Sequence, residues 1–288
     1  MAAVPNIQLN TGYPFPVLGF GTFANRKEGV MLPAVKAAIS SGYRHIDTAW
    51  YYTTEPEVGG AIKEKLADGT VTRDELFVTS KLWNTFHEPF KVGRMCRDSL
   101  RDLQLDYLDL YLMHWPMGHE DNESSRGHFT QATFVPNDVD YLETWQAMED
   151  LIDGGLVRSI GVANFNLGQL KRLLNIPNIR YKPAVLQIEM TPYLTNVELL
   201  EFCNSHGIAV TGYSPLGGPN MIYAPPNAPN LMENPTIVET AKKFDKTPAQ
   251  IFDFALSDED MKKITSLNRN YRFNPTSQFK DHPHYPFK

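Results

Sequence analysis

Short apolar runs alternate with amphipathic ones along most of the chain. Strands are predicted over 18–23, 43–49, 76–83, 107–115, 157–164, 184–190 and 208–214. These runs are rich in Val, Ile, Leu, Tyr and Phe and do not alternate cleanly with polar residues, as strands buried on both faces require. Helical spacing of apolar residues fills the intervals 32–39, 57–66, 91–103, 141–152 and 196–206. Gly154-Gly155 and Gly207 stand where two of these helices should stop. Strand followed by helix, repeated, is the pattern of a parallel sheet with crossover helices. Seven such strands predict a (β/α)8 barrel, a TIM barrel with seven of its eight strands recognisable. The run from Ile7, with Asn10-Thr11-Gly12 as its turn, predicts an N-terminal β-hairpin ahead of the barrel.

Consecutive strands end in residues that do chemistry. Asp47 and Tyr52 follow the second run, Lys81 ends the third and His114 ends the fourth. The carboxyl ends of barrel strands converge on one face, which holds the active site. A tyrosine beside an ammonium has a lowered pKa and becomes a better proton donor near neutrality. A carboxylate beside the lysine keeps it charged and in place. Taken singly, these residues fit blander roles. Asp47 and Lys81 fit a structural ion pair, His114 fits a satisfied core histidine, and Tyr213 and Trp115 fit packing. Their arrival together at strand ends favours proton transfer. A hydride would have to come from a cofactor, because no side chain gives one.

At 288 residues the chain suits one domain over 1–288. A net charge of −6 with no basic stripe argues against nucleic acid. Two cysteines, Cys96 and Cys203, are too few for a disulfide framework and suit a reducing compartment. With no leader pattern and no apolar run of membrane length, the expectation is a cytoplasmic monomer with no membrane partner. His128, His282 and His284 show no ligand spacing, so no metal is expected.

Seven motifs in order carry a resemblance. They are Gly19-Phe-Gly-Thr22, His45-Ile-Asp-Thr-Ala49 with Tyr52, Ser80-Lys-Leu-Trp83, Met113-His-Trp-Pro116, Gly161-Val-Ala-Asn-Phe165, Gln187-Ile-Glu189 and Tyr213-Ser-Pro-Leu-Gly217. In these the chain resembles the aldo-keto reductases. The resemblance implies an NADP-dependent oxidoreductase that reduces aldehydes or hydrophobic ketones to alcohols on a TIM barrel. Tyr52 would be the proton donor, Lys81 and Asp47 would tune it, and His114 would orient a small-molecule carbonyl substrate. NADPH (NADP+) would contact Gly21, Thr22, Asp47, Asn164, Gln187, Tyr213, Ser214, Leu216 and Gly217, with Tyr213 stacked on the nicotinamide. Phe23, Trp50, Trp83, His114 and Trp115 would form an apolar substrate pocket. Ala163 and Leu186 depart from the family's usual Ser and Asn.

One further departure follows Ile251. The family's eighth strand and its basic 2′-phosphate clamp have no equivalents between Ile251 and Phe252, so a segment is expected to be absent there. That expectation implies weak NADPH binding with little preference over NADH. It also leaves the barrel open between its first and last strands, or patched there by the C-terminal tail. A buried strand contributes about 6–12 kcal/mol in gross transfer terms, and a domain is stable by only about 5–15 kcal/mol. The alternative function is therefore a catalytically impaired, splice-variant-like chain that binds a ligand or partner weakly.

Overall fold

A computed structural model describes residues 4–23, 28–121, 134–218, 225, 227–252 and 256–288. His128 and the first three residues lie outside the described residues. The hairpin is present as β1 (Asn6–Gln8) and β2 (Pro14–Pro16), antiparallel, with Ile7 opposite Phe15. Seven parallel strands follow: β3 (Gly19–Gly21), β4 (His45–Asp47), β5 (Phe77–Leu82), β6 (Leu110–Met113), β7 (Ile160–Ala163), β8 (Val185–Glu189) and β9 (Ala209–Tyr213). They lie in the sheet in sequence order, β3 to β9. This curled half-barrel is the expected architecture. Each strand falls inside its predicted run and is shorter than it. Among the described residues β3 pairs only with β4, and β9 only with β8.

The crossover helices are α1 (Met31–Ser40), α2 (Glu55–Ala67), α3 (Pro89–Leu103), α4 (Tyr141–Asp153), α5 (Leu167–Leu174) and α6 (Val197–Ser205), followed by α7 (Pro235–Lys243) and α8 (Asp258–Thr265). The hydrophobic face of α3 buries Val92, Met95, Cys96, Leu100 and Leu103, and the helix ends at Gln104 in the left-handed region, φ 56°. Sequence periodicity did not single out α5, α7 or α8. Each carries a start signal in its cap. Asn166 and Gln169 form a reciprocal capping box on α5, Asn234 accepts from Thr236 N before Pro235 of α7, and Ser257 accepts from Asp260 N on α8.

The hairpin closes the N-terminal end of the sheet. Phe15 packs on Phe77, ring centroids 4.9 Å apart, and on His45 at 5.1 Å. Asn10 Nδ2 donates to Pro183 O at 2.9 Å, just before β8. The C-terminal tail crosses the opposite end. Phe273 N and Asn274 N donate to the buried Glu189 carboxylate at the end of β8, at 2.6 and 3.0 Å. His282 Nε2 pairs with Gly118 O at 2.9 Å, Asn166 Nδ2 donates to Pro286 O at 3.0 Å, and Phe287 packs on Trp115. The tail therefore roofs the carboxyl end of the sheet.

Candidate active site

Register brings the charged residues together. Asp47 on β4 lies beside Thr79 on β5, and Lys81 stands two residues further along the same strand. Side chains two apart on a strand share a face, so Asp47, Thr79 and Lys81 all point to the barrel interior. Lys81 Nζ donates to Asp47 Oδ1 at 2.5 Å and to Thr48 O at 2.9 Å. The second carboxylate oxygen of Asp47 accepts from Gln187 Nε2 at 2.7 Å. Lys81 is fully buried. Burial lowers its pKa, and the Asp47 carboxylate opposes that shift.

Tyr52 comes from a single helical turn, Trp50–Tyr52, immediately after β4. Its ring lies 5.0 Å from Lys81 Nζ and edge-on to His114 at 5.6 Å. The sequence predicts a tyrosine pKa lowered by Lys81. Instead the Tyr52 hydroxyl is held well above its ordinary value, first by burial and then by the Asp47 charge. The reason is geometric: the lysine's charge is engaged by Asp47, and the phenol sits in a desolvated aromatic wall. Tyr52 is therefore a fully protonated phenol. His114 is kept neutral, its pKa well below the usual value through burial, then Lys81, then His87. Its Nδ1 is buried without a partner.

Asn164 closes β7 with a left-handed backbone, φ 62°, which aims its amide inward. Its Nδ2 donates to His114 O at 2.9 Å, and its Oδ1 accepts from Tyr213 OH at 2.7 Å. One cavity of about 540 Å³ receives Asp47, Tyr52, His114, Asn164, Gln187 and Tyr213. Such a volume is in the range of small-molecule sites. Phe23, Trp83, Trp115, Gly21 and Ser214 also line it. Several expected residues stand elsewhere. Trp50 packs edge-on against Phe86 at 4.9 Å. The Thr22 side chain is buried 3.4 Å from the Thr54 hydroxyl. Leu216 and Gly217 lie beside the lining rather than in it, with Gly217 against the Phe273 ring.

The structure adds residues that the sequence did not single out. Glu55, fully buried at the start of α2, accepts from Ser80 Oγ at 2.5 Å, and desolvation raises its pKa to about 7. It sits near enough to Lys81 to support the ammonium. Its position just ahead of the predicted helix at 57–66 gave no sign of burial. Phe273, Asn274, Gln278 and Phe279 of the tail also line the cavity. The available signal was the tail's aromatic richness without periodicity.

Nicotinamide is a flat amide-bearing ring, and the donor set suits it: an aromatic face from Tyr213, two amides from Asn164 and Gln187, and the orphaned His114 Nδ1 nearby. Among the described residues no group of three or more His, Cys, Asp or Glu side chains could hold a metal ion, and no helix is long and apolar enough to cross a membrane.

Sequence comparison agrees with this arrangement. The family model described as the Aldo/keto reductase family matches residues 17–251. "Estradiol 17 beta-dehydrogenase 5" of Mus musculus is 41% identical over 312 residues, covering 98% of this chain and 97% of its own. "Prostaglandin-E(2) 9-reductase" of Oryctolagus cuniculus is 42% identical, with 98% and 97% covered. "Aldo-keto reductase family 1 member A1-A" of Danio rerio is 42% identical, with 98% of each covered. The expectation of an absent segment after Ile251 is not borne out by these matches, which run through nearly the whole of each relative. Family model, relatives and fold agree, and the chain belongs to the aldo/keto reductase family, a family of oxidoreductases.

Proposed function

We propose that the protein reduces aldehydes and hydrophobic ketones to alcohols with NADPH, and that Tyr52 is the proton donor. The observation that carries this reading is the Asp47–Lys81 pair, 2.5 Å, set 5.0 Å behind the Tyr52 ring at the head of an aromatic-walled cavity. The dinucleotide, when bound, supplies the hydride. Tyr213 would face the nicotinamide ring, with Asn164 and Gln187 holding its carboxamide. A carbonyl oxygen placed between Tyr52 and His114 meets a protonated phenol and a neutral imidazole. Both groups act on the same oxygen and fix its orientation. As negative charge grows on that oxygen, the phenol gives up its proton. The buried Lys81 ammonium stabilises the phenolate left behind. The high pKa of Tyr52 keeps the donor loaded before reaction, and Lys81 acts when charge appears.

Trp83, Trp115 and Phe23 give the carbonyl carrier apolar walls. The names of two relatives mention estradiol and a prostaglandin. An impaired, ligand-binding chain has less support, because the relatives match over nearly full length and the four expected catalytic residues converge. The test is direct. Purified protein with NADPH and nitrobenzaldehyde should form nitrobenzyl alcohol in step with NADPH consumption. Absence of the alcohol across a panel of aromatic aldehydes and apolar ketones overturns the proposal.

A further inference from the structure

The cavity extends well past the catalytic residues. Tyr52 and His114 stand at the C-terminal ends of their strands, whereas Ile7, Phe15, Val17 and Leu18 belong to the hairpin end, yet all six line the same space. That space is bordered by Gly19 and Gly21 of β3 and by Val210 and Thr211 of β9, the two strands that have one partner each among the described residues. β9 is five residues long, which at about 3.3 Å per residue makes the passage roughly 16 Å long. Inner strands β6, β7 and β8 are buried at every residue, while neither β3 nor β9 has a buried residue.

The chemistry of this arm is one-sided. Ile7, Val17 and Leu18 are 43%, 53% and 48% exposed. Exposed apolar side chains gathered at a cavity mouth mark a surface that gains by being covered. Below Asp47 the described residues that line the arm include no Lys, Arg, Asp or Glu. His45, which also borders it, is neutral at physiological pH, its pKa lowered to about 4 chiefly by burial, and its Nε2 pairs with Thr79 Oγ1 at 3.0 Å. A long, uncharged passage joined to a polar head suits a molecule of the same shape.

We propose that this lateral arm binds an unbranched alkyl chain, with a polar head at Tyr52 and His114 and a tail lying along β3 and β9 toward the hairpin. The proposal rests on the carbonyl-reductase reading for the head group alone. Each methylene buried strengthens binding by up to about fourfold, and the gain should stop when the channel is full.

Calorimetric titration of the full chain with a series from butanol to dodecanol tests the arm without turnover. The dissociation constant should fall with each added methylene and then level off. Leu18→Glu places a charge in the arm and should return decanol affinity to that of butanol, with butanol affinity and thermal midpoint unchanged. Val210→Trp, which fills the arm without charge, should do the same if Leu18→Glu folds poorly. In the presence of NADPH, Leu18→Glu should raise KM for decanal and leave KM for butanal. Butanal reduction with no dependence on chain length sinks the arm while sparing the reductase reading. Chain-length-dependent alkanol binding without any carbonyl reduction does the reverse. Tight binding of an extended apolar peptide, with none of the alkanols, would show that the strand edges pair with backbone and would overturn the proposal.

Discussion

β5 and β9 belong to one sheet and differ by one residue in length, yet their surroundings are opposite. Every residue of β5, from Phe77 to Leu82, is buried. No residue of β9, from Ala209 to Tyr213, is buried, and Gly212 is exposed. Composition does not explain this, since β9 has no charged residue and β5 contains Lys81. Partners do. β5 pairs with β4 and β6, and among the described residues β9 pairs with β8 alone. The inner strand can hold an ammonium out of water because its neighbour's Asp47 and the Thr48 carbonyl satisfy it. The lesson is that the ion pair behind the expected proton donor sits where the structure is most constrained. The expected cofactor contacts Tyr213 and Ser214 lie on or just after an edge.

The comparison can be broken first at the phenol. Tyr52→Phe should lower turnover by at least about 10²-fold and hardly move the thermal midpoint, because only a hydroxyl is removed. Near-normal steady-state turnover in that variant would mean that another group donates the proton.

Lys81→Met leaves Asp47 without its partner in the buried middle of the sheet. Loss of one member of such a pair costs about 3–5 kcal/mol, so urea unfolding should show a drop of that order together with loss of activity. A stable, active Lys81→Met enzyme would remove the reason for placing the machinery on inner strands.

Packing offers a paired measurement. Leu112→Ala on β6, a fully buried site, should cost about 2–5 kcal/mol. Val210→Ala on the edge should cost about 1 kcal/mol or less. Equal costs in denaturant unfolding would show that β9 is as tightly held as the centre.

The acid response is the mildest near neutrality. His87 and His119 are both lowered to about 3, chiefly by burial. Their unfolded forms take up protons near pH 6.5, so the native state disfavours the charge. Their contribution is fully present above about pH 6.5 and is lost as pH falls toward 3. Thermal midpoints measured from pH 7 to pH 4 should decline, and His87→Gln should flatten the slope. A midpoint independent of pH over that range would rule out these histidines as its source.

Much of this was legible in one sequence because burial on two faces leaves a plain mark. The runs at 43–49, 76–83 and 107–115 had to be inner strands, and parallel strands must deliver Asp47, Lys81 and His114 to one end. The helix α5 was harder to see. It is eight residues long, and its capping box at Asn166 and Gln169 is its clearest local sign. The orientation of Trp50 was illegible for a similar reason. It sits in the same short turn as Tyr52, and only packing decides that Tyr52 faces the cavity while Trp50 faces Phe86.

The sequence by itself determined the strand order, the hairpin, the parallel sheet and the residues that meet at its carboxyl end, because periodicity and strand direction are local properties. Only the tertiary structure decided the rest. It set Tyr52's pKa upward, since desolvation and the Asp47 charge outweigh a lysine already paired with that carboxylate. It brought Glu189 to Phe273 across 84 positions of chain to roof the site with the tail. It opened the cavity along β3 and β9, because whether a strand edge finds a partner depends on how far the whole sheet curls.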